Sequence, residues 1–203
     1  MHEYSTDNRK RERVIFWLAM ASIIITPGIN WIISKFTNLF RNYIEITYTV
    51  TSVLIFTILY FFFNKIVWRF CYKFLKIPNL NGIWKCKGHS FNYKTDEEYD
   101  WDSEICIKQE WDKIGITQKT ADSDSFSTSI IGGLKIEDND EILLSYVYSN
   151  TPRSHTPNLL RHEGLVKLRF NKNLCTASGD YFNDPSRNTY GTMSLEKKDG
   201  NKK

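Results

Sequence analysis

One stretch divides this chain into two unlike parts: Ile44–Phe63, which reads IEITYTVTSVLIFTILYFFF. Its only charged residue is Glu45, at one edge. A helix needs roughly 20 mostly apolar residues to cross the hydrocarbon core of a membrane. The Thr and Ser hydroxyls are tolerated there, because they bond back to carbonyl groups of their own helix. The stretch therefore predicts a transmembrane helix, and nothing after Pro78 is similar to it.

A second apolar run, Val14–Ser34, lies upstream and follows the basic segment RKRER at residues 9–13. The run is too long for the apolar region of a signal peptide and lacks a clear small-residue cleavage site, so we expect a retained membrane helix. Asn30 is its one strongly polar side chain. In lipid such an amide is expected to seek a partner helix or a backbone carbonyl.

The basic residues indicate the orientation of the two spans. They precede the first span at residues 9–13 and follow the second at Lys65, Arg69, Lys73 and Lys76. By the positive-inside rule, this multi-pass chain has both termini in the cytoplasm. The net charge of +4 comes largely from these flanks, so it indicates topology and not the binding of long nucleic acid.

Composition divides the chain into five predicted regions. A basic N-terminus precedes the two spans, and Trp, Tyr, Lys and Arg after them suit a helix lying in the lipid interface. The regions are a cytoplasmic N-terminus at 1–13, a two-helix transmembrane hairpin at 14–64, an amphipathic juxtamembrane helix at 65–77, a cytosolic β-barrel that senses a ligand at 78–198, and a disordered tail at 199–203.

Beyond Pro78, short segments rich in β-branched and aromatic residues alternate with Gly, Asn, Asp and Pro, which predicts strands joined by tight turns. The predicted strands are Leu80–His89, Tyr99–Trp111, Lys113–Thr120, Phe126–Ile136, Glu141–Ser149, Glu163–Phe170, Leu174–Phe182 and Asn188–Glu196. Closure into a barrel removes exposed strand edges. We expect a compact, eight-stranded, up-and-down antiparallel barrel of lipocalin-like form, with a two-sheet sandwich as the competing architecture.

The alternation along two strands suggests what the barrel interior holds. Ile105, Ile107, Gln109 and Trp111 share one face, and Tyr146 and Tyr148 share a face with Ile142 and Leu144. Each face is apolar at one end and aromatic or polar at the other, which suits a packed base and a mouth that stacks and hydrogen-bonds a base. The loop 149–162 and the hairpin at 184–187 add basic side chains that could bind phosphate. A strand-stiffening role for the tyrosines and a merely solvated loop are the alternatives.

No catalytic or metal site emerges from the sequence, and we predict a protein that is not an enzyme and needs no cofactor. His162-Glu163 has no further ligand at metal spacing, and no Ser, Cys or Thr lies in a nucleophile motif. The four cysteines form no C-x-x-C pair, which favours reduced thiols in a reducing compartment.

Several short motifs occur in a fixed order on this chain of two spans and eight predicted strands. They are LNGIW at 80–84, IKQEW at 107–111, YVYSNTP at 146–152, HEG at 162–164, GDY at 179–181 and TYG at 189–191. Over essentially its full length the chain resembles the bacterial SMODS-associated two-transmembrane, β-strand-rich effectors of CBASS, the anti-phage signalling system based on cyclic oligonucleotides.

This resemblance implies a function for the barrel and the spans together. The barrel would bind a cyclic dinucleotide made by a partner nucleotidyltransferase. The chain would then form homo-oligomers in the lipid bilayer of the inner membrane, breach it and kill the infected cell. The resemblance places ligand contacts at Gln109, Trp111, Tyr146, Tyr148, His162 and Tyr181. The positive charge of Arg153 and Arg187 makes them two further candidates for ligand contact.

A membrane-tethered, lipocalin-like binder of a lipid or another apolar molecule is the alternative function. Gly82-x-Trp84 matches the opening of lipocalin-type barrels. That function requires a continuous apolar lumen, and Gln109 with the pair Tyr146 and Tyr148 argues mildly against one.

Overall fold

A computed structural model gives the fold as two units. It describes residues 1–6, 11–39, 49–71, 75, 77–120, 125–137, 141–151 and 161–198. The membrane unit is Lys10–Leu75, and the barrel unit combines Met1–Arg9 with Lys76–Lys203.

The membrane unit is helical. Helix α1 spans Arg11–Leu39, and helix α2, Ser52–Phe62, continues through a π-helical turn at Phe63–Val67 into α3, Trp68–Phe70. Within the described residues, Arg11–Leu39 and the continuous run Ser52–Phe70 are each long and apolar enough to cross a membrane. The two predicted spans are therefore present, although the second begins later than expected.

The start of α2 corrects the prediction of a helix from Ile44. Thr49 and Val50 are not helical, and the Thr51 hydroxyl caps the helix by accepting from the backbone N–H of Leu54 at 3.3 Å. The Asn30 amide donates to the Val50 carbonyl and accepts from the Val50 N–H, both at 2.9 Å. These bonds satisfy backbone groups that precede the helix. They also give Asn30 the backbone partner that we expected for a polar side chain in a membrane span. Residues 44–48 lie outside the described residues.

The juxtamembrane helix predicted at 65–77 is only partly helical. Helix α3 ends at Phe70, with a bend at Cys71, and Leu75 is again helical, with its N–H donating to the Cys71 carbonyl at 2.9 Å. Ile77 to Asn81 are not helical. Residues 72–74 and 76 lie outside the described residues. Pro78 explains the change, because proline disfavours helical backbone in the residue before it.

The barrel unit contains nine described strands in a closed barrel. They are β1 His2–Thr6, β2 Gly82–Asn92, β3 Glu97–Gln109, β4 Lys113–Thr120, β5 Phe126–Ile136, β6 Ile142–Thr151, β7 His162–Phe170, β8 Thr176–Asn183 and β9 Thr189–Lys197. From β2 to β9 each strand pairs antiparallel with the next in sequence, and β9 returns to β2. The predicted all-β domain with sequential pairing is confirmed.

Strand β1 corrects both the strand number and the assignment of residues 1–13. It lies between β4 and β5 and pairs antiparallel with β4 but parallel with β5, where Tyr4 faces Gly132. The barrel is thus nine-stranded and not purely up-and-down. Five mostly polar residues carry no alternating apolar pattern, so only the open backbone groups of β4 and β5 identify this segment as a strand.

The barrel core lies at the end where the chain enters from the second span, which we call the base. Trp84 is fully buried there, meets Phe170 edge to face at 5.2 Å and donates from Nε1 to the Leu80 carbonyl. Ile105, Leu144 and Leu168 are equally buried. Dense packing at the base leaves the other end of the barrel for a site.

We predict that Asn30→Leu destabilises the helical hairpin. The change removes both bonds to Val50 and leaves its backbone groups without partners in lipid, a loss of about 1–2 kcal/mol. SDS denaturation of the detergent-solubilised chain, followed by far-ultraviolet circular dichroism, measures it. Thr37→Val is the control, because the Thr37 hydroxyl bonds only within its own helix, to the Ser34 carbonyl. Equal stability of the two variants would contradict the prediction.

Candidate functional site

A cavity of about 270 Å³ opens at the end of the barrel opposite the base. We call it the mouth. Eight strands, β2 to β9, and the β8–β9 turn contribute to it, mostly with polar or aromatic side chains. Its lining residues are Ser90, Tyr99, Asp100, Trp101, Gln118, Thr120, Ser125, Ser127, Tyr148, Asn150, His162, Tyr181, Asn183, Arg187 and Met193.

Three aromatic rings of the mouth lie against glycines on the neighbouring strand. Trp101 pairs in register with Gly88, Tyr148 with Gly164, and Tyr181 with Gly191. A Cβ atom added at these glycines would come within 2.1 Å of the Trp101 ring, 2.6 Å of the Tyr148 ring and 2.9 Å of the Tyr181 ring. The glycines therefore let three rings lie along the wall, where their faces and edges surround an open mouth.

Hydrogen bonds hold these rings in place. The Trp101 Nε1–H donates to Ser90 Oγ at 2.8 Å, and Ser90 Oγ also bonds the Tyr181 hydroxyl. The Tyr148 hydroxyl donates to Asn183 Oδ1. Because each ring is fixed by both a glycine and a polar partner, the mouth is organised before any ligand enters.

The wall formed by β5, β6 and β7 carries groups that can read a polar ligand. Asn150 faces His162 in register and donates from Nδ2 to Ser127 Oγ at 2.8 Å. Asn150 Oδ1 is buried and has no hydrogen-bond partner among the described residues. The His162 ring meets the Tyr148 ring edge to face at 6.3 Å. A ligand N–H donor would satisfy the Asn150 oxygen.

Charge in the mouth is sparse. Arg187 and Asp100 are the lining residues that carry a formal charge at neutral pH, apart from any proton on His162. Burial raises the pKa of the Tyr148 and Tyr181 hydroxyls, and the nearby Arg187 charge opposes this rise in both. Both tyrosines therefore stay neutral donors and acceptors at physiological pH.

Four of the predicted ligand contacts come together in the mouth: Tyr148, His162, Tyr181 and Arg187. Tyr146 lies two residues before Tyr148 on the same face of β6, further from the mouth. It is buried, and burial raises the pKa of its hydroxyl. Arg153 lies outside the described residues.

Gln109 and Trp111 lie at the base, away from the mouth. Gln109 Oε1 accepts from the Leu80 N–H at 2.8 Å, and Gln109 Nε2 donates to the Tyr4 hydroxyl and to the Pro78 carbonyl, each at 3.2 Å. Trp111 is 1% exposed, and its carbonyl accepts from Tyr4. Alternation grouped both residues with Ile105 and Ile107, and all four are buried, but it could not show which end of the barrel they occupy.

Sequence reasoning missed Ser90, Trp101, Ser127, Asn150 and Asn183. A signal existed for two of them. Ser90 continues the inward series of Trp84 and Cys86 in steps of two, and Asn150 does the same after Tyr148. The described residues hold no group of three His, Cys, Asp or Glu side chains placed as metal ligands.

Two apolar helices and a closed barrel with an aromatic, hydrogen-bonding mouth define a class of protein, the membrane-anchored β-barrel with a polar and aromatic cavity at one end. Comparison with known families agrees. Residues 75–197 match the model described as the Cap15 cyclic dinucleotide receptor domain, and residues 12–69 match that of the Cap15 TM helices. The chain belongs to the Cap15 family and is a membrane protein.

A curated relative supports this assignment. CD-NTase-associated protein 15 from Yersinia aleksiciae is 39% identical over 141 residues. The match covers 68% of this chain and 64% of the relative, so it spans just under two thirds of the relative's length. The predicted resemblance is confirmed.

We predict that Gly164→Ala reshapes the mouth. The added methyl group would meet the Tyr148 ring and its hydroxyl at 2.6 Å, and the Phe182 carbonyl at 2.7 Å, so the ring must leave the wall. Overpacking of this kind typically costs about 1–3 kcal/mol. Chemical denaturation of the full chain in detergent measures the loss.

The same substitution in a Tyr148→Ala background is the control. There the methyl group meets only the Phe182 carbonyl, so we expect a smaller loss. Equal losses in the two backgrounds would show that the ring does not depend on Gly164.

Proposed function

We propose that the chain is a CBASS effector whose barrel binds a cyclic dinucleotide in the mouth. The observation that carries this proposal is the set of three rings laid on glycines around buried hydrogen-bonding groups. Such rings stack nucleobases, and amide or imidazole groups beside them can read the base edges. The match of residues 75–197 to a cyclic dinucleotide receptor domain supports this ligand class.

The size of the mouth suggests how such a ligand sits. About 270 Å³ is slightly below the 300–1,000 Å³ of typical small-molecule pockets. We therefore propose that one base enters among Trp101, Tyr148 and Tyr181, while the phosphodiester ring stays at the rim beside the partly exposed Arg187. Arg187 would bind a phosphate by charge-assisted hydrogen bonds. Arg153 stays a candidate on its charge alone.

In this function the two membrane spans kill the infected cell. A partner nucleotidyltransferase makes the ligand on infection, and liganded copies form homo-oligomers in the bacterial inner membrane. Their transmembrane helices then disrupt the bilayer, with both termini on the cytoplasmic side and without catalysis by this chain. The ligand can drive this change only by binding the assembled form better than the separate copies.

The alternative function, an apolar-ligand carrier, has less support. The described lumen below the mouth is packed with Trp84, Leu144, Leu168 and Phe170, all at most 2% exposed. Ser, Thr, Asn, Gln, Tyr and His side chains make up most of the lining of the cavity at the mouth. A carrier of lipid would need an apolar cavity in place of this packing.

Calorimetry of the full chain in detergent tests the ligand assignment. The full chain is required because β1 is part of the barrel. The probes are cyclic dinucleotides built from adenosine, guanosine, cytidine and uridine, with a fatty acid as the apolar probe. We expect one cyclic dinucleotide to bind and the fatty acid not to bind. The reverse result would favour the carrier, and silence from all probes would contradict both functions.

We predict that Tyr148→Ala weakens cyclic dinucleotide binding about tenfold or more, because stacking of one base contributes about 1–3 kcal/mol. Arg187→Gln should weaken it by a similar factor through loss of a charge-assisted bond of about 1.5–3 kcal/mol. Calorimetry with the bound probe measures both.

The matched controls are Tyr190→Ala and Arg169→Gln, at exposed positions outside the mouth lining. Both should bind like the unchanged chain. Unchanged affinity in both mouth variants would remove the mouth as the ligand site.

We predict that membrane disruption in bacteria requires an intact mouth. The chain is co-expressed with an active nucleotidyltransferase that makes the bound dinucleotide, and a potential-sensitive dye reports depolarisation. Tyr148→Ala should prevent depolarisation and Tyr190→Ala should not. Depolarisation that is independent of the nucleotidyltransferase would contradict ligand control of the spans.

A further inference from the structure

Strand β1 differs from the other described strands of the barrel. It precedes the membrane unit in the chain, whereas β2 to β9 all follow it. Its two halves pair with different neighbours: His2 and Glu3 with β4, and Tyr4 to Thr6 with β5. By contrast, β2 and β3 pair along Gly82–Asn92. A strand held by so few ladder positions can leave the sheet far more easily than its neighbours.

The gap that β1 fills is shaped for a strand. β4 and β5 pair directly only where Thr117 to Lys119 face Phe126 to Thr128. On the other side of β5, its ladder with β6 shifts register between Ser129 and Ile131. We call the gap between Lys113–Ile116 and Ile131–Leu134 the strand slot. A Cβ atom at Gly133 would lie 2.8 Å from Ser5 Oγ, so the slot wall is glycine where β1 approaches it.

One side chain anchors β1 in the slot. Tyr4 is 2% exposed, and its hydroxyl donates to the Glu110 and Trp111 carbonyls at 3.3 Å and accepts from Gln109 Nε2 at 3.2 Å. Gln109 in turn binds the Pro78 carbonyl, at the point where the chain enters the barrel from the second span. The slot thus combines open strand edges with a pocket for one tyrosine.

The slot and the mouth share strand β5. Ser127 lines the mouth and bonds Asn150, whereas Ser129, two residues along on the same face, bonds the His2 ring at 2.9 Å. Ser129 Oγ also accepts from the Ile116 N–H of β4 at 2.9 Å. A ligand that moves Ser127 and Asn150 would therefore act on the strand that holds β1.

We propose that the strand slot is a binding site for residues 2–6 of a second copy of this chain, filled by strand exchange when copies assemble. This inference rests on the proposed function, since it gives the contact that joins liganded copies. In the exchanged form, β1 makes with a second copy the same bonds that it makes within its own chain. The exchange therefore needs no new complementary surface. Confinement to a membrane raises the effective concentration of the second copy.

Exchange would also tie the barrel of one copy to the first span of the next. Four residues separate Thr6 from helix α1, which begins at Arg11. A donated strand therefore keeps its own first span tethered to the barrel that accepts it. Ligand binding and the arrangement of the spans are then coupled through covalent chain.

Cysteine cross-linking between two differently tagged copies of the full chain tests the exchange. One copy carries Ser5→Cys and the other carries Gly133→Cys, at positions that face each other in register, and the exposed Cys175 is replaced by serine in both. We expect a disulfide between the two tags that rises several-fold when the cyclic dinucleotide panel is added. Ser178→Cys, an exposed position on β8, replaces Gly133→Cys in the control and should give only background.

Two other outcomes would contradict strand exchange. In the first, the panel produces oligomers, but cross-linking to Gly133→Cys stays at the level of the Ser178→Cys control. That result overturns strand exchange and leaves the proposed function in place. A single chain carrying both cysteines confirms that the pair can react. If no member of the panel produces oligomers, the assembly step of the proposed function fails, and the exchange fails with it.

A peptide competition avoids any folding defect of the Gly133→Cys chain. A synthetic peptide of residues 1–6 in excess should occupy the slot and reduce oligomers formed by the unaltered chain. The same peptide with Tyr4→Ala should be inactive, because it lacks the anchor. Oligomers that resist both peptides would overturn the exchange.

Discussion

The buried amide of Gln109 joins three parts of the chain at the base of the barrel. Its oxygen binds the Leu80 N–H, and its nitrogen binds the Tyr4 hydroxyl and the Pro78 carbonyl. A buried amide left without partners costs about 1–3 kcal/mol, so strand β3, strand β1 and the entry from the second span share one arrangement. The insertion of β1 between β4 and β5 depends on this arrangement, because Tyr4 is the buried residue of that strand.

The mouth differs from the base in the side chains that fill it. Large apolar side chains fill the lower lumen, whereas the upper lumen carries rings that lie flat on glycines and hydroxyl or amide groups that bind one another. Rings fixed in this way lose little conformational freedom when a base stacks on them. The same strand, β5, runs from the mouth to the strand slot, so the proposed ligand site and the proposed assembly site share one structural element.

Much of the fold could be predicted from local pattern. Eight strands and their order were correct, because alternation and turn residues are local properties. Half of the predicted contacts reach the mouth. Gln109 and Trp111 do not, because a period of two identifies the face of a strand and not the end of the barrel at which a side chain lies. Helix α2 began later than expected, since its start depends on a bond from Asn30, twenty residues away in sequence.

The sequence by itself therefore determined two membrane helices, an all-β domain with sequential antiparallel pairing, and which side chains share one face of a strand. All of these depend on hydrophobicity and periodicity over neighbouring residues. Only the tertiary structure decided that His2–Thr6 is a strand, that three glycines lie beneath three rings, and that Gln109 belongs to the base. Each of these depends on a partner far away in sequence, because backbone edges, cavities and buried amides acquire their partners only when the barrel closes.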